Sequence, residues 1–189
     1  IRFGLAAVKN IGRGFIRLVV RERGEHGPFQ SLEDLCTRLY GSDLNKRALE
    51  NLIKCGALDG FGLYRSQLLA VYELVMDSVT SAKRKNLDGQ MGMFDLGGGE
   101  TPAAAVSVPK LPELSRRERM AFEKETTGLY LSGHPMDEYR AQLKSARVTP
   151  IGEILESFSG EGGAFRDEQQ VSVAGIVQTV RMKTTRSNS

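Results

Sequence analysis

Along residues 1–80, apolar side chains recur every three or four positions, the period of helices that each bury one face. Leu32, Leu35, Cys36 and Leu39 form one such stripe. Leu49, Leu52 and Ile53 form a second, on a helix opened by Asp43 or Asn45, and Tyr64, Leu68, Tyr72, Val75, Met76 and Val79 form a longer third. The periodicity stops at Lys83, Arg84 and Lys85. Residues 86–112 then carry Gly97, Gly98, Gly99, Pro102, Pro109 and Pro112, the composition of an exposed linker. A helix is predicted to resume at Ser115, where Ser115 and Glu118 have capping-box spacing, and to run through Met120, Phe122, Leu129 and Tyr130 to a break at Gly133-His134-Pro135. A shorter one is predicted from Met136 to Lys144, with His134 helping the turn before it. Val171, Val173, Ala174, Ile176, Val177 and Val180 read as a strand; since one strand is not stable alone, it is expected to be the first of a β domain.

A second pattern occurs twice, with its turns fifty positions apart. Its first copy is Leu5, Val8, Asn10, Ile11 and Gly12 with Ile16 and Val19 beyond; its second is Cys55, Leu58, Gly60, Phe61 and Gly62 with Ser66 and Leu69 beyond. Each reads as a helix, a tight hairpin and the start of the next helix. A turn with positive φ takes Gly or, second best, Asn, as at Asn10, and both Gly12 and Gly62 are expected in turns that a β-branched residue would strain. Amides at such a turn and at the following helix start face outward together and can hold an anion, usually a nucleic-acid phosphate, without reading bases. The alternative is a pair of corners that only pack, because glycine after an apolar stretch is also how ordinary helices stop.

The net charge of +3 is too small to imply nucleic acid by itself, but the whole excess lies beside the hairpins: residues 1–60 carry ten Lys or Arg against seven Asp or Glu, and the remainder is balanced. Arg13, Arg17, Lys46, Arg47 and Arg65 are placed to reach phosphates, together with the turn residues Asn10, Ile11, Gly12, Gly14, Gly60, Phe61 and Gly62. Cys36 and Cys55 lie on apolar faces and not in a CxxC arrangement, so buried free thiols in a reducing compartment are expected. No apolar run approaches a membrane span and no leader is visible, which points to a soluble cytoplasmic protein with no membrane partner. Beginning at Ile1 and not at Met, the sequence is expected to be a piece of a longer chain. No metal site is expected: His26 and His134 have no Cys, His or Asp at ligand spacing, and Glu123, Glu125, Asp137 and Glu138 read as scattered helix-surface charges.

Within the linker, Gln90-Met91-Gly92-Met93-Phe94 sets two large apolar residues side by side with no helix to cover them. Such anchors are typical of short motifs that fold into a partner's pocket, the alternative being that Met93 and Phe94 tuck onto their own helical domain.

The runs Gly4-Leu5-Ala6-Ala7-Val8-Lys9-Asn10-Ile11-Gly12, Gly27-Pro28-Phe29-Gln30-Ser31-Leu32 and Asn45-Lys46-Arg47-Ala48-Leu49-Glu50-Asn51-Leu52-Ile53-Lys54-Cys55-Gly56-Ala57-Leu58-Asp59 closely resemble the α subunit of bacterial DNA polymerase III. So does Glu123-Lys124-Glu125 followed by Gly128-Leu129-Tyr130-Leu131-Ser132-Gly133-His134-Pro135, a stretch highly specific to that family. The resemblance covers essentially the whole chain. It implies a mainly α fold: a tandem helix-hairpin-helix domain over 1–82, a linker with a clamp-binding motif over 83–113, a helical connector over 114–158 and the truncated start of an OB domain over 159–189. It also implies that the hairpins hold double-stranded primer-template DNA, that Gln90, Met91, Gly92, Met93 and Phe94 bind the sliding clamp (the β subunit), and that other replisome subunits are partners. The family's polymerase centre holds Mg²⁺ on palm aspartates. The resemblance places these upstream of Ile1, so neither a catalytic centre nor a cofactor is expected here. Two departures stand out. Ile16 replaces the usual small residue of the first hairpin, and Met93 replaces a frequent Leu, a swap an apolar pocket tolerates. A stand-alone DNA-binding adaptor or repair protein with the same hairpins is the rival reading, and a helical interaction module without DNA contact is a third.

Overall fold

A computed structural model describes residues 4–42, 44–87, 106–159, 163–177 and 179–182. The chain divides into two compact units, Ile1–Ser132 and Gly133–Ser189. In the first, a 3-10 turn at Leu5–Ala7 precedes five α-helices: α1 (Arg13–His26), α2 (Leu32–Arg38), α3 (Lys46–Lys54), α4 (Arg65–Leu87) and α5 (Arg116–Thr127). Their starts are chemically local. Ser31 accepts a hydrogen bond from the Asp34 amide (3.1 Å), and Asn45, the cap chosen over Asp43, accepts from the Ala48 amide (2.9 Å). Ser115 and Glu118 form the full reciprocal capping box, at 3.2 and 2.8 Å.

The core lies where α4 packs across α2 and α3. Leu39, Leu49, Ile53 and Leu68 are fully buried there, with Phe15 and Val19 of α1 and Val71, Val75 and Val79 of α4 beside them. The apolar stripes read from the sequence therefore face one common interior, except for Tyr64 at the head of the third, which is exposed. α4 does not stop at Lys83 but continues to Leu87. Lys and Arg are good helix formers and suit the negative end of a helix, so a basic run can extend one where apolar periodicity has ended.

α5 was expected in a connector beyond the linker. It belongs to the first unit and packs on α3. Lys54 of α3 pairs with Glu50 (2.8 Å) and Glu125 (3.6 Å) while its ammonium sits 4.9 Å from the centre of the Phe122 ring. The C-terminal end of α5 also reaches the first hairpin: the Lys9 amide donates to the Thr126 carbonyl (2.9 Å), and the Asn51 side-chain amide donates to the Lys9 carbonyl (2.8 Å). α5 ends at Thr127, earlier than the Leu129 and Tyr130 expected from periodicity. Gly128 takes the left-handed conformation (φ 78°) and its amide closes on the Lys124 carbonyl.

In the second unit, His134 accepts at Nδ1 from the Met136 amide (3.1 Å) and Asp137 accepts from the His134 amide (2.9 Å), opening a 3-10 turn at Pro135–Tyr139. α6 (Arg140–Ser145) and α7 (Ile151–Ser159) follow. The strand expected over 171–180 is not formed among the described residues. Among the described residues that segment makes one backbone hydrogen bond to a neighbouring segment, from the Thr149 amide to the Ser172 carbonyl (2.8 Å), and Val173, Val177 and Val180 are exposed. A strand is defined by its ladder, and among the described residues no ladder partner lies alongside. Among the described residues no helix is long and apolar enough to cross a membrane.

Candidate nucleic-acid interface

The α1 side of the first hairpin is uncovered among the described residues. Asn10 has φ 62°, the left-handed turn its side chain tolerates, and Ile11 behind it is half-buried against the core. Gly12 then caps α1 in ordinary extended backbone (φ −79°, ψ 151°), and a Cβ there would meet nothing within 4 Å. The expectation that Gly12 sits in a strained turn is thus corrected: the left-handed residue is Asn10, two positions earlier. With glycine as its cap, α1 has no side chain to accept from its first turn. The amides of Arg13, Gly14 and Phe15 have no acceptor within the helix and point out of its positive end. Arg13, Gly14 and Arg17 are exposed, and no carboxylate among the described residues pairs with either arginine. Ile16 is half-buried, and Phe15 and Val19 supply the packing face.

The second hairpin has the same backbone outline with a different occupant. Gly60 and Phe61 lie in a 3-10 turn at Asp59–Phe61, Phe61 is half-buried against the core, and Gly62 is left-handed (φ 74°). The amides that follow, however, are taken: those of Arg65 (3.2 Å) and Ser66 (3.4 Å) donate to the carboxylate of Glu113.

Arg65 does not reach outward, so its expected role as a phosphate contact is corrected. It is 5% exposed. Its Nε and Nη2 donate to the two Asp59 oxygens (2.9 and 2.7 Å), and Nη1 donates to Glu123 (3.0 Å) and to the Lys54 carbonyl (3.2 Å). Burial would lower its pKa, but Asp59 and Glu123 outweigh that and raise it. Gly56 makes this arrangement possible. It is left-handed (φ 81°), and any Cβ there would overlap Nη2 of Arg65. Lys46 is also engaged, through an exposed pair with Asp77 (3.0 Å) and Glu73 (3.4 Å) that raises its pKa, the hydrogen bond to Asp77 contributing most. Arg47 beside it is exposed, with no carboxylate partner among the described residues.

Glu123, read from the sequence as a surface charge, is fully buried. Besides Arg65, it accepts from the amides of Leu131 and Ser132 (2.8 Å each) and from the Ser132 hydroxyl (3.1 Å). Burial pushes its pKa up, and these four donors outweigh it and bring the value below the ordinary one. The residue thereby organises the loop 129–132 and locks Arg65 in place. The signal in the sequence was its place in the family-specific run, which carried no physical assignment.

One group of possible metal ligands occurs among the described residues, Glu22, Glu25 and His26, with ligand atoms within 4.8 Å of one another. Glu22 already pairs with His26 (3.2 Å) and lies 3.6 Å from the Arg38 guanidinium, a cation that opposes a metal ion at the same oxygens. Gln90, Met91, Gly92, Met93 and Phe94 lie outside the described residues.

A family model described as a helix-hairpin-helix motif matches residues 1–68, a range that contains both turns. The chain is 35% identical over 97% of its length to DNA polymerase III subunit alpha of Xylella fastidiosa, 36% over 99% to that of Thermus aquaticus and 34% over 96% to that of Pseudomonas aeruginosa. By sequence, the chain belongs with one segment of the DNA polymerase III α subunit family. It spans 14–16% of the length of these relatives. Similarity to the α subunit extends past the hairpins, through α5 and into the second unit, so it does not rest on the hairpin pattern alone.

Proposed function

We propose that the chain is a duplex-gripping and sliding-clamp-tethering part of a replicative DNA polymerase, working in the bacterial cytoplasm on the nucleoid. The observation that carries this reading is the first hairpin: uncapped amides of α1 beside the exposed Arg13 and Arg17, which pair with no carboxylate among the described residues, within the helix-hairpin-helix match. Amides and guanidinium groups would neutralise backbone phosphates and hold a duplex by shape and charge, without preference for sequence. A stand-alone adaptor would share the hairpins. It is less favoured because the likeness to polymerase α subunits runs over 97% of the chain.

Nucleotidyl transfer, with the Mg²⁺ it requires, belongs in this reading to parts of the parent enzyme beyond this chain. Three of the carboxylates are engaged otherwise: Glu123 is bound to Arg65 and loop amides, Asp137 caps a turn, and Glu22 faces Arg38. The OB assignment of 159–189 rests likewise on the resemblance. Clamp tethering rests on the apolar pair Met93-Phe94 beside Gln90 and on the family match; a tether raises the local concentration of enzyme at the primer end, so a weak peptide contact suffices.

The test of duplex gripping is titration of the chain with unrelated duplexes across a salt series. The log-log slope should be roughly −0.9 per phosphate neutralised, and Arg13→Glu with Arg17→Glu should weaken every duplex alike. A flat salt response, or a loss confined to one sequence, overturns it. For the clamp, a peptide spanning Asn86–Gly97 is titrated with the matching clamp. Phe94→Ala should cost about 2–4 kcal/mol, as for other buried aromatic anchors, and equal affinity of wild-type, Met93→Ala and Phe94→Ala peptides overturns tethering by this segment.

A further inference from the structure

Glu113 lies on the N-terminal turn of α4 where a phosphate bound by the second hairpin would lie. Its two carboxylate oxygens accept from the amides of Arg65 (3.2 Å) and Ser66 (3.4 Å), and one also accepts from the Leu114 amide (2.7 Å). Two more bonds fasten the same stretch: the Ser66 hydroxyl donates to the Pro112 carbonyl (2.7 Å) and the Gln67 side-chain amide donates to the Pro109 carbonyl (2.9 Å). Residues 109–114 therefore form a strap across the turn that Gly62 opens, immediately before the Ser115 cap of α5. Among the described residues, the first hairpin has no such cover.

We propose that this strap is an internal competitor for the second hairpin: the Glu113 carboxylate and a duplex phosphate claim the same two amides, so the second hairpin grips DNA only when the strap lets go. The inference rests on the duplex-gripping reading and deepens it by giving the two hairpins different states. Three features support exchange. The two amide bonds of Glu113 are at or beyond the long end of the N–H to O range, so the contact is weak enough to yield. Arg65, which would otherwise favour a phosphate here, points inward, so anion preference at this turn comes from backbone amides that serve carboxylate and phosphate alike. The strap is fastened to α4 through its own carbonyls and one side chain, and none of its apolar residues is fully buried: Leu111 and Pro112 are exposed and Leu114 is half-buried. DNA held first by the open hairpin would present a neighbouring phosphate at high local concentration and displace the carboxylate.

The experiment measures duplex affinity of the full chain over a salt series for wild type, Glu113→Ala and Glu113→Gln, with the amide resonances of Arg65 and Ser66 followed by NMR. Glu113→Ala should bind threefold or more tightly than wild type at low salt, with a slope steeper by roughly 0.9 for one added phosphate contact. Glu113→Gln, which loses the charge but keeps an acceptor oxygen, should fall between. In wild type, the Arg65 and Ser66 resonances should move as duplex saturates. Affinity and slope identical in all three proteins, or weaker binding by Glu113→Ala, overturn the competitor and leave the duplex-gripping reading in place. Absence of salt-dependent duplex binding by wild type and both variants overturns that reading and the competitor with it. Should Glu113→Ala lose helical content, Glu113→Gln and the wild-type resonances decide, and resonances unmoved at saturation overturn the proposal.

Discussion

Arg65 and Glu123 stand 58 positions apart in the chain and share a 3.0 Å hydrogen bond in the interior of the first unit. The pair joins the start of α4 to α5, and each partner holds something else: Arg65 grips Asp59 and the end of α3, while Glu123 gathers the amides of the loop 129–132. Removing one member leaves a buried charge and several orphaned donors. Glu123→Ala should therefore cost about 3–5 kcal/mol in urea unfolding. In a double-mutant cycle, Arg65→Met should cost less in the Glu123→Ala background than alone; additive losses would show that the two do not act as a unit.

The same carboxylate makes stability depend on pH. Its pKa in the folded chain lies below its unfolded value, so in that window the unfolded chain binds more protons. The stabilisation is complete above the unfolded value of about 4.3 and is lost as pH falls through the lower folded value. Glu123→Gln lacks this component. Its deficit relative to wild type should be largest near neutrality and shrink on acidification, as read by unfolding midpoints at pH 7 and in the acid range.

Three glycines should behave differently on substitution. At Gly56, Ala meets both a left-handed backbone and the Arg65 guanidinium, so it should destabilise most. At Gly62, where φ is 74° and the space is open, Val should cost on the order of 1–3 kcal/mol through backbone strain alone. At Gly12, Ala should leave the melting temperature near wild type, because the backbone is already extended and nothing lies near. Equal losses at all three positions would contradict this order.

The two thiols should be inert in the native chain. Burial, with Glu33 adding to it, pushes the Cys36 thiol up to about 12, and burial raises that of Cys55. Little thiolate exists at neutral pH to attack a disulfide reagent. Both cysteines should label slowly in buffer and promptly in denaturant, and rapid native labelling of Cys36 would show that its side of the core opens.

What the sequence by itself determined was local. Ser31, Asn45 and the Ser115-Glu118 box mark helix starts through hydrogen bonds that span three residues; the apolar stripes name Leu39, Leu49, Ile53 and Leu68 as core; and the left-handed turns at Asn10 and Gly62 follow from which side chains that backbone tolerates. The tertiary structure alone decided what the charges do. Arg13 and Arg65 occupy corresponding places after the two hairpins, yet one is exposed while the other is buried, because Asp59, Gly56 and Glu123 converge on Arg65 and, among the described residues, nothing comparable faces Arg13. Likewise the amides of the second hairpin belong to Glu113, 48 positions from Arg65, and the return of α5 onto α3 is written in no single periodicity. A backbone turn or a helix cap is settled by neighbours within a few bonds. The role of a charged side chain is settled by which partners the fold brings within 3 Å or so, and those partners lie far away in sequence.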